Sequence, residues 1–274
     1  MSLPPYEARI LRVVDHLWAN LDAPLDLDRL AKIACFSPYH FHRLYRGITG
    51  ETVAETVRRL RLHRAAGQLA QSDQPIADIA NRAGYGSQAA FTRSFSADYG
   101  TPPGLYRLRT TSPNAMEDKM LPIDFVTLTD LPCAAVAHRG PYMEIGKAFE
   151  QVSIYAGTRG LIGPETHMFG VYYDDPNAVP AADLRSEACL TVPPGTDIAA
   201  PAHALTIAGG RYVTALHIGP YAELEKAYQW LFSAWMPTSG HEPDDRPSLE
   251  EYLNDPRTLP PTEWQTLIYI PLKG

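Results

Sequence analysis

Ser37-Pro-Tyr-His-Phe41-His-Arg43-Leu-Tyr45 returns fifty positions later as Ser87-Gln-Ala-Ala-Phe91-Thr-Arg93-Ser-Phe95, and Gly50 is answered by Gly100. Each copy opens on a serine able to cap a helix, the first followed by a proline at the first helical position, where its missing N–H costs nothing. Phe41, Leu44, Tyr45 and Ile48 then fall on one stripe at helical spacing, while Tyr39, His42, Arg43 and Arg46 fall on the opposite one. In the second copy Phe91 and Phe95 take the packing side, and Gln88, Ala89, Thr92 and Arg93 the outer side. A short apolar-periodic helix precedes each: Leu27, Leu30, Ala31 and Ala34 in one, Ile76, Ile79, Ala80 and Ala83 in the other. Residues 52–71 contain no proline and a single glycine, Gly67, so one long helix is expected between the copies, carrying Arg58, Arg59, Arg61 and Arg64. At ~1.5 Å per residue it spans roughly 30 Å, close to the ~34 Å between successive major-groove faces on one side of B-DNA. Two helix-turn-helix units facing double-stranded DNA are therefore expected.

A second duplication, of a different kind, fills the back half. His138-Arg-Gly140-Pro141-Tyr142 returns as His217-Ile-Gly219-Pro220-Tyr221, with Glu144, Lys147, Ala148 and Phe149 answered by Glu223, Lys226, Ala227 and Tyr228. Asp175-Pro176 and Pro180 return as Asp255-Pro256 and Pro260, in a register that pairs Glu187 with Leu267. Alternating apolar runs at 134–138, 168–173, 188–192, 212–217 and 266–270 read as strands, and 142–159 and 221–236 as helices. The fold class is multi-domain: an all-α double helix-turn-helix domain, then an α+β domain of two pseudo-twofold strand-helix-strand-strand repeats. Boundaries are expected at 1–110, a linker at 111–119 and 120–274.

Charge follows the same division. Up to Arg109 there are 14 Lys and Arg against 10 Asp and Glu, a net of +4; beyond it there are 10 against 21, a net of −11, which together give the −7 of the chain. Three widely spaced cysteines, Cys35, Cys133 and Cys189, form no CxxC pair and indicate neither a disulfide framework nor zinc. His40 and His42 point to different helix faces, so no metal site is expected there. Gly84-Tyr-Gly-Ser-Gln-Ala89 matches a loose dinucleotide pattern but follows a helix, not a strand. No catalytic triad, phosphate loop or cofactor motif is evident, no apolar run approaches the ~18 residues of a membrane span, and a cytoplasmic protein without membrane contact is expected.

Residues 25–107, with Ile79-Ala80, Ala83-Gly84-Tyr85, Phe91, Arg93, Phe95 and the ending Gly100-Thr-Pro-Pro-Gly-Leu-Tyr106-Arg107, resemble the DNA-binding domain of AraC/XylS-family transcription regulators. The resemblance implies base-facing roles for Tyr39, His42 and Arg43 in the first reading helix and for Gln88, Ala89, Thr92 and Arg93 in the second. Residues 121–273 resemble the GyrI-like effector-binding domain through Tyr172-Tyr-Asp-Asp-Pro176, Arg185-Ser-Glu187, Pro247-Ser-Leu-Glu250-Glu-Tyr252 and Ile268-Tyr-Ile-Pro-Leu-Lys273. This second resemblance implies a cleft between the repeats, walled by aromatics and centred on a buried carboxylate that attracts amphipathic or cationic molecules. The acid often found just before the closing segment is Leu267 here. Glu187, its duplicate, and Glu250 are the candidate replacements, with Glu250 and a solvated Glu251 placed in a helix or turn. Tyr142, Tyr172, Tyr221, Trp230, Tyr252 and Tyr269 are the candidate walls.

The leading expectation is a ligand-responsive transcription regulator with double-stranded DNA, a small-molecule effector and RNA polymerase as partners, and no enzymatic activity. Two alternatives stand beside it: a hydrolase of electrophilic small molecules resting on a cleft glutamate, and a back domain that serves as a protein-interaction module.

Overall fold

A computed structural model describes residues 5–111 and 121–274. The expected linker lies, beyond Thr111, outside the described residues. The front domain is helical: α1 (Tyr6–Ala19), α2 (Leu27–Ile33), α3 (Pro38–Thr49), α4 (Val53–Gln71), α5 (Ile76–Arg82), α6 (Gln88–Tyr99) and α7 (Pro103–Thr111). Ser37 accepts from the His40 amide and Ser87 from the Ala90 amide, so both serines cap the helices read from the sequence. Both helices end on left-handed glycines, Gly50 and Gly100. The turn before each is of one type, with the Phe36 amide reaching Ala31 O in the first and the Tyr85 amide reaching Ala80 O in the second. Its left-handed position is held by Gly84 in the second copy but by Cys35 in the first, at φ 53°.

Two cores follow from the duplication. In the first, Phe41 and Tyr45 pack with Leu30, Val53 and Val57, and α1 closes it with Ile10, Val13, Val14 and Leu17, an i, i+3, i+4, i+7 stripe that lies outside the duplicated segments. Arg9 of α1 also donates to Ala34 O and Cys35 O, satisfying the turn between α2 and α3. In the second, Phe91, Phe95, Tyr99 and Tyr106 cluster with Leu62 and Leu69, Phe95 stacking on Tyr99 at 4.3 Å. A Thr52–Glu55 capping box starts α4, which links both cores.

The four arginines that the long helix was expected to carry are engaged within the protein rather than left as free charge. Arg58 pairs with Asp98 at 2.7 Å, Arg64 with Asp22 at 2.5 Å, and Arg61 donates to Leu21 O and Ala23 O. Arg59 bridges Glu51 at 2.5 Å and Glu150 of the back domain at 3.0 Å. Charge counted along a sequence does not reveal that partners 8 to 91 residues away consume it.

Among the described residues of the back domain, eight strands form one antiparallel sheet: β1 (Ile123–Leu128), β2 (Leu131–Arg139), β3 (Met168–Tyr172), β4 (Arg185–Thr191), β5 (His203–Ile207), β6 (Gly210–Ile218), β7 (Ser248–Tyr252) and β8 (Gln265–Pro271). Their order is β1-β6-β8-β7-β3-β4-β2-β5, a palindrome about the β7–β3 pair. Each repeat has a strand more than the sequence pattern suggested, and the extra strands are exchanged: β1 precedes the first repeat but pairs with β6, and β5 precedes the second but pairs with β2. One sheet face carries α8 (Gly146–Thr158) over the first repeat, and over the second α9 (Leu224–Trp230), which continues through a π-helical stretch, Leu231–Trp235, into α10 (Met236–Ser239). The other face buries Cys133, Cys189, Phe169, Leu249 and Tyr269.

Candidate functional site

Over β3 and β7, between the two helices, the sheet floor is open to a cleft. Glu250 stands in the middle of β7, opposite Gly170 of β3. Strand alternation sends Ser248, Glu250 and Tyr252 to the cleft side and Leu249 and Glu251 to the other. The Tyr252 hydroxyl donates to Glu250 Oε2 at 2.7 Å, and the Tyr172 and Tyr252 hydroxyls lie 2.6 Å apart. The Tyr228 hydroxyl is buried there too, beside the same carboxylate. Loss of hydration pushes the Glu250 carboxyl above its usual range, against the lowering effect of the surrounding tyrosine hydroxyls. Tyr142 packs edge-on to Tyr172 at 4.8 Å, Phe149 to Tyr252 at 4.9 Å and Tyr221 to Tyr252 at 5.2 Å, and Trp264 stacks on Tyr221 at 4.4 Å.

The structure therefore brings together five of the expected ligand residues, Tyr142, Tyr172, Tyr221, Glu250 and Tyr252. It separates the other four. Glu187, Leu267 and Tyr269 are on strand positions facing the opposite side of the sheet, where Glu187 lies 3.2 Å from His203. Glu187 and Leu267 are related by the duplication as expected, but the parity of β4 and β8 turns both away from the cleft. Trp230 of α9 packs into the core of the second repeat. Glu250 and Glu251 are in a strand rather than a helix or turn, and Glu251 is not solvated: it is 7% exposed, accepts from the Tyr269 hydroxyl at 2.5 Å and lies 2.5 Å from His167 Nδ1. Phe149, Tyr228 and Trp264 were missed as wall residues. The first two had a signal, since they answer each other in the duplication.

The front domain closes over this cleft. His63 of α4 meets Met143 O at 3.1 Å, and its ring lies 6.1 Å from Tyr221 and 6.4 Å from Trp264. Burial pushes the imidazole down to about 4, so it is neutral near pH 7. Glu150 of α8 accepts from Trp18 at 2.9 Å as well as from Arg59, and Ala222 joins the second front-domain core. The resulting cavity, about 2450 Å³, runs from the cleft floor to the seam between the domains. That exceeds the ~300–1,000 Å³ of a drug-sized site, because two spaces are joined.

The outer faces of α3 and α6 are uncovered. Tyr39, His42, Arg43, Arg46, Gln88, Ala89 and Arg93 are exposed and Thr92 is half-buried. The Arg43 guanidinium lies over the Tyr39 ring at 4.7 Å, and neither Arg43 nor Arg93 is engaged in an ion pair among the described residues.

An uncovered pair of capped reading helices joined to an aromatic, carboxylate-centred cleft defines a helix-turn-helix protein with a small-molecule module. Residues 121–273 match the family model of the GyrI-like small molecule binding domain, and residues 30–109 that of a helix-turn-helix domain. The chain belongs to the GyrI-like family, with an AraC-type helix-turn-helix domain at its front. The regulatory protein SoxS of Salmonella typhimurium (strain LT2) is 35% identical over 100 residues, which cover 36% of this chain and 94% of SoxS. The right origin-binding protein of Escherichia coli (strain K12) is 35% identical over 129 residues, 44% of each chain. The chain thus spans less than half the length of that relative, and 35% of the regulator YbfP of Bacillus subtilis (strain 168). Among solved structures, the EcmrR–DNA complex in EcmrR-RPo aligns over 86% of this chain and 82% of EcmrR, with a TM-score of 0.51 at 17% identity, a likeness of fold. No helix among the described residues is long and apolar enough to cross a membrane.

Proposed function

We propose that this protein is a sequence-specific DNA-binding transcription regulator whose back domain binds a small amphipathic or cationic effector. Double-stranded DNA is read by the outer faces of α3 and α6, and RNA polymerase is the partner on which the regulation acts. The observation that carries the effector reading is Glu250, 5% exposed and ringed by Tyr172, Tyr228 and Tyr252. A carboxylate without a cationic partner in an aromatic cleft attracts a desolvated cation through both its charge and the ring faces. The domain is read as binding rather than converting its ligand, in keeping with its match to a small molecule binding domain.

Calorimetry with tetraphenylphosphonium, an amphipathic cation, tests this. Binding to wild type that weakens at least tenfold in Glu250→Gln supports it, since a charge-assisted contact contributes about 1.5–3 kcal/mol. Equal affinity in both proteins would overturn the role of Glu250.

A further inference from the structure

β7 carries Glu250 and Tyr252 into the cleft floor, and the chain then leaves the sheet as the loop 253–264 before returning as β8. This loop touches the ends of both reading helices. Arg257 Nη1 donates to Thr49 O, the carbonyl of the last residue of α3, at 2.7 Å. A cation at a helix C-terminus satisfies a carbonyl left without an amide and complements the helix dipole. Arg257 is held in that position from behind: Asp255 accepts from its Nε at 2.8 Å and its Nη2 at 2.7 Å. Five residues on, Thr262 Cγ2 lies 3.3 Å from where a Cβ on Gly100 would stand, and Gly100 is the cap of α6. The far end of the loop is Trp264, stacked on Tyr221, which meets Tyr252 edge-on.

The duplication provides an internal comparison. At the offset of eighty that relates Asp255-Pro256 to Asp175-Pro176, Arg257 corresponds to Asn177 and Thr262 to Ala182. Asn177 turns its side chain back onto Asp175 at 3.2 Å, within its own loop. The two loops share a turn, but among the described residues it is the second whose side chain donates a hydrogen bond to the front domain.

We propose that the loop 253–264 transmits the state of the cleft to the reading helices, with Arg257 as the positioning residue on α3. The proposal rests on the effector reading of the cleft and adds its route of regulation. Any molecule seated on Glu250 displaces or orders Tyr252 and Tyr221, the two ring contacts that anchor the loop, and the loop sets where the last turn of α3 and the cap of α6 are held. A ligand acts on DNA affinity only through such a difference between two arrangements.

Hydrogen exchange on the full chain tests the route without knowledge of the operator. In the absence of ligand, amides 48–52 are expected to exchange about tenfold faster in Arg257→Ala than in wild type, with Arg257→Lys between them, as for loss of a charge-assisted hydrogen bond. Saturating tetraphenylphosphonium is expected to change exchange at 48–52 and 98–101 in wild type; in Arg257→Ala the change at 48–52 disappears while that in β3 and β7 stays. Tyr252→Ala perturbs the cleft end of the loop without ligand and is expected to alter 48–52 as well. Identical exchange at 48–52 in wild type and Arg257→Ala, or a probe response there that survives Arg257→Ala, overturns the proposal. If calorimetry shows no binding of the probe, the cation reading of the cleft fails, and the Tyr252→Ala arm decides the loop separately.

Discussion

Gly170 and Glu250 are registered partners across the β3–β7 pair and lie eighty positions apart in a repeat of that offset, so the pseudo-twofold axis passes between them. Duplicated positions meeting on an axis would hold two like residues; here one is an acid and the other has no side chain. The absence matters, because a Cβ on Gly170 would stand 2.7 Å from Tyr172 Cε2 and 2.8 Å from its hydroxyl. Gly170→Ala is therefore expected to push the Tyr172 ring from the Tyr252 hydroxyl and to weaken tetraphenylphosphonium binding about tenfold, as for one lost hydrogen bond. Calorimetry on the variant checks this, and unchanged affinity would show that Tyr172 does not shape the site.

Glu250 links cation binding to pH. Its carboxyl sits above the usual range in the folded protein, so on acidification it takes up a proton before an ordinary glutamate does. Protonation removes the charge that draws a cation, and cation affinity should fall with pH, with a midpoint above 4.5. The same protonation relieves a buried charge, so its contribution to fold stability has the opposite sign and grows as pH falls. Titrating affinity against pH in wild type and Glu250→Gln separates the two, since the variant should show no such midpoint.

His63 provides the reverse case. Its imidazole is pushed down to about 4 from 6.5, so between these values the unfolded chain binds the proton and the folded one does not. Stability from this group is present above pH 6.5 and is lost as pH falls towards 4, by an amount on the order of 1–3 kcal/mol. Thermal melts across this window should show a steeper decline for wild type than for His63→Gln, which cannot be protonated.

For DNA, Arg43→Ala and Arg93→Ala are expected to cost about 1–3 kcal/mol each on a site selected from random duplexes, and little on unrelated sequence. Arg58→Ala should leave the salt dependence of binding unchanged, because Asp98 already neutralises it. Gel-shift titrations at several salt concentrations measure both; equal losses on all sequences for Arg43 and Arg93 would remove them as base readers.

Cys35 is the only non-glycine residue with a left-handed φ among the described residues, in the turn where the second copy has Gly84. A Cβ in that conformation costs roughly 1–2 kcal/mol, offset in part by the greater freedom of an unfolded glycine. Cys35→Gly should accordingly raise the melting temperature, by about 1 kcal/mol of added stability. A fall would mean that the Cys35 side chain stabilises the turn.

The sequence alone determined the elements whose causes are local. Ser37 and Ser87 cap because a hydroxyl reaches amides three residues on, Gly50 and Gly100 end helices because only glycine turns left-handed without cost, and the apolar stripes fix which face of α3 and α6 stays outside. The duplications likewise announced two domains and a pseudo-twofold relation in the second, while the cleft was implied by the resemblance to the GyrI-like domain. The tertiary structure decided everything that depended on which side of a sheet, or which distant partner, a side chain meets. A shift of one residue along β7 exchanges Glu250 for Glu251, cleft for opposite face, and strand register is fixed by pairing with β3 and β8 rather than by the residues themselves. The extra strands β1 and β5 were hidden because each pairs within the other repeat, and the charge of α4 vanished into partners brought near only by folding. His63 and Arg257 could not be read as seam residues for the same reason: their meaning lies in a contact between domains, and no spacing within either domain encodes it.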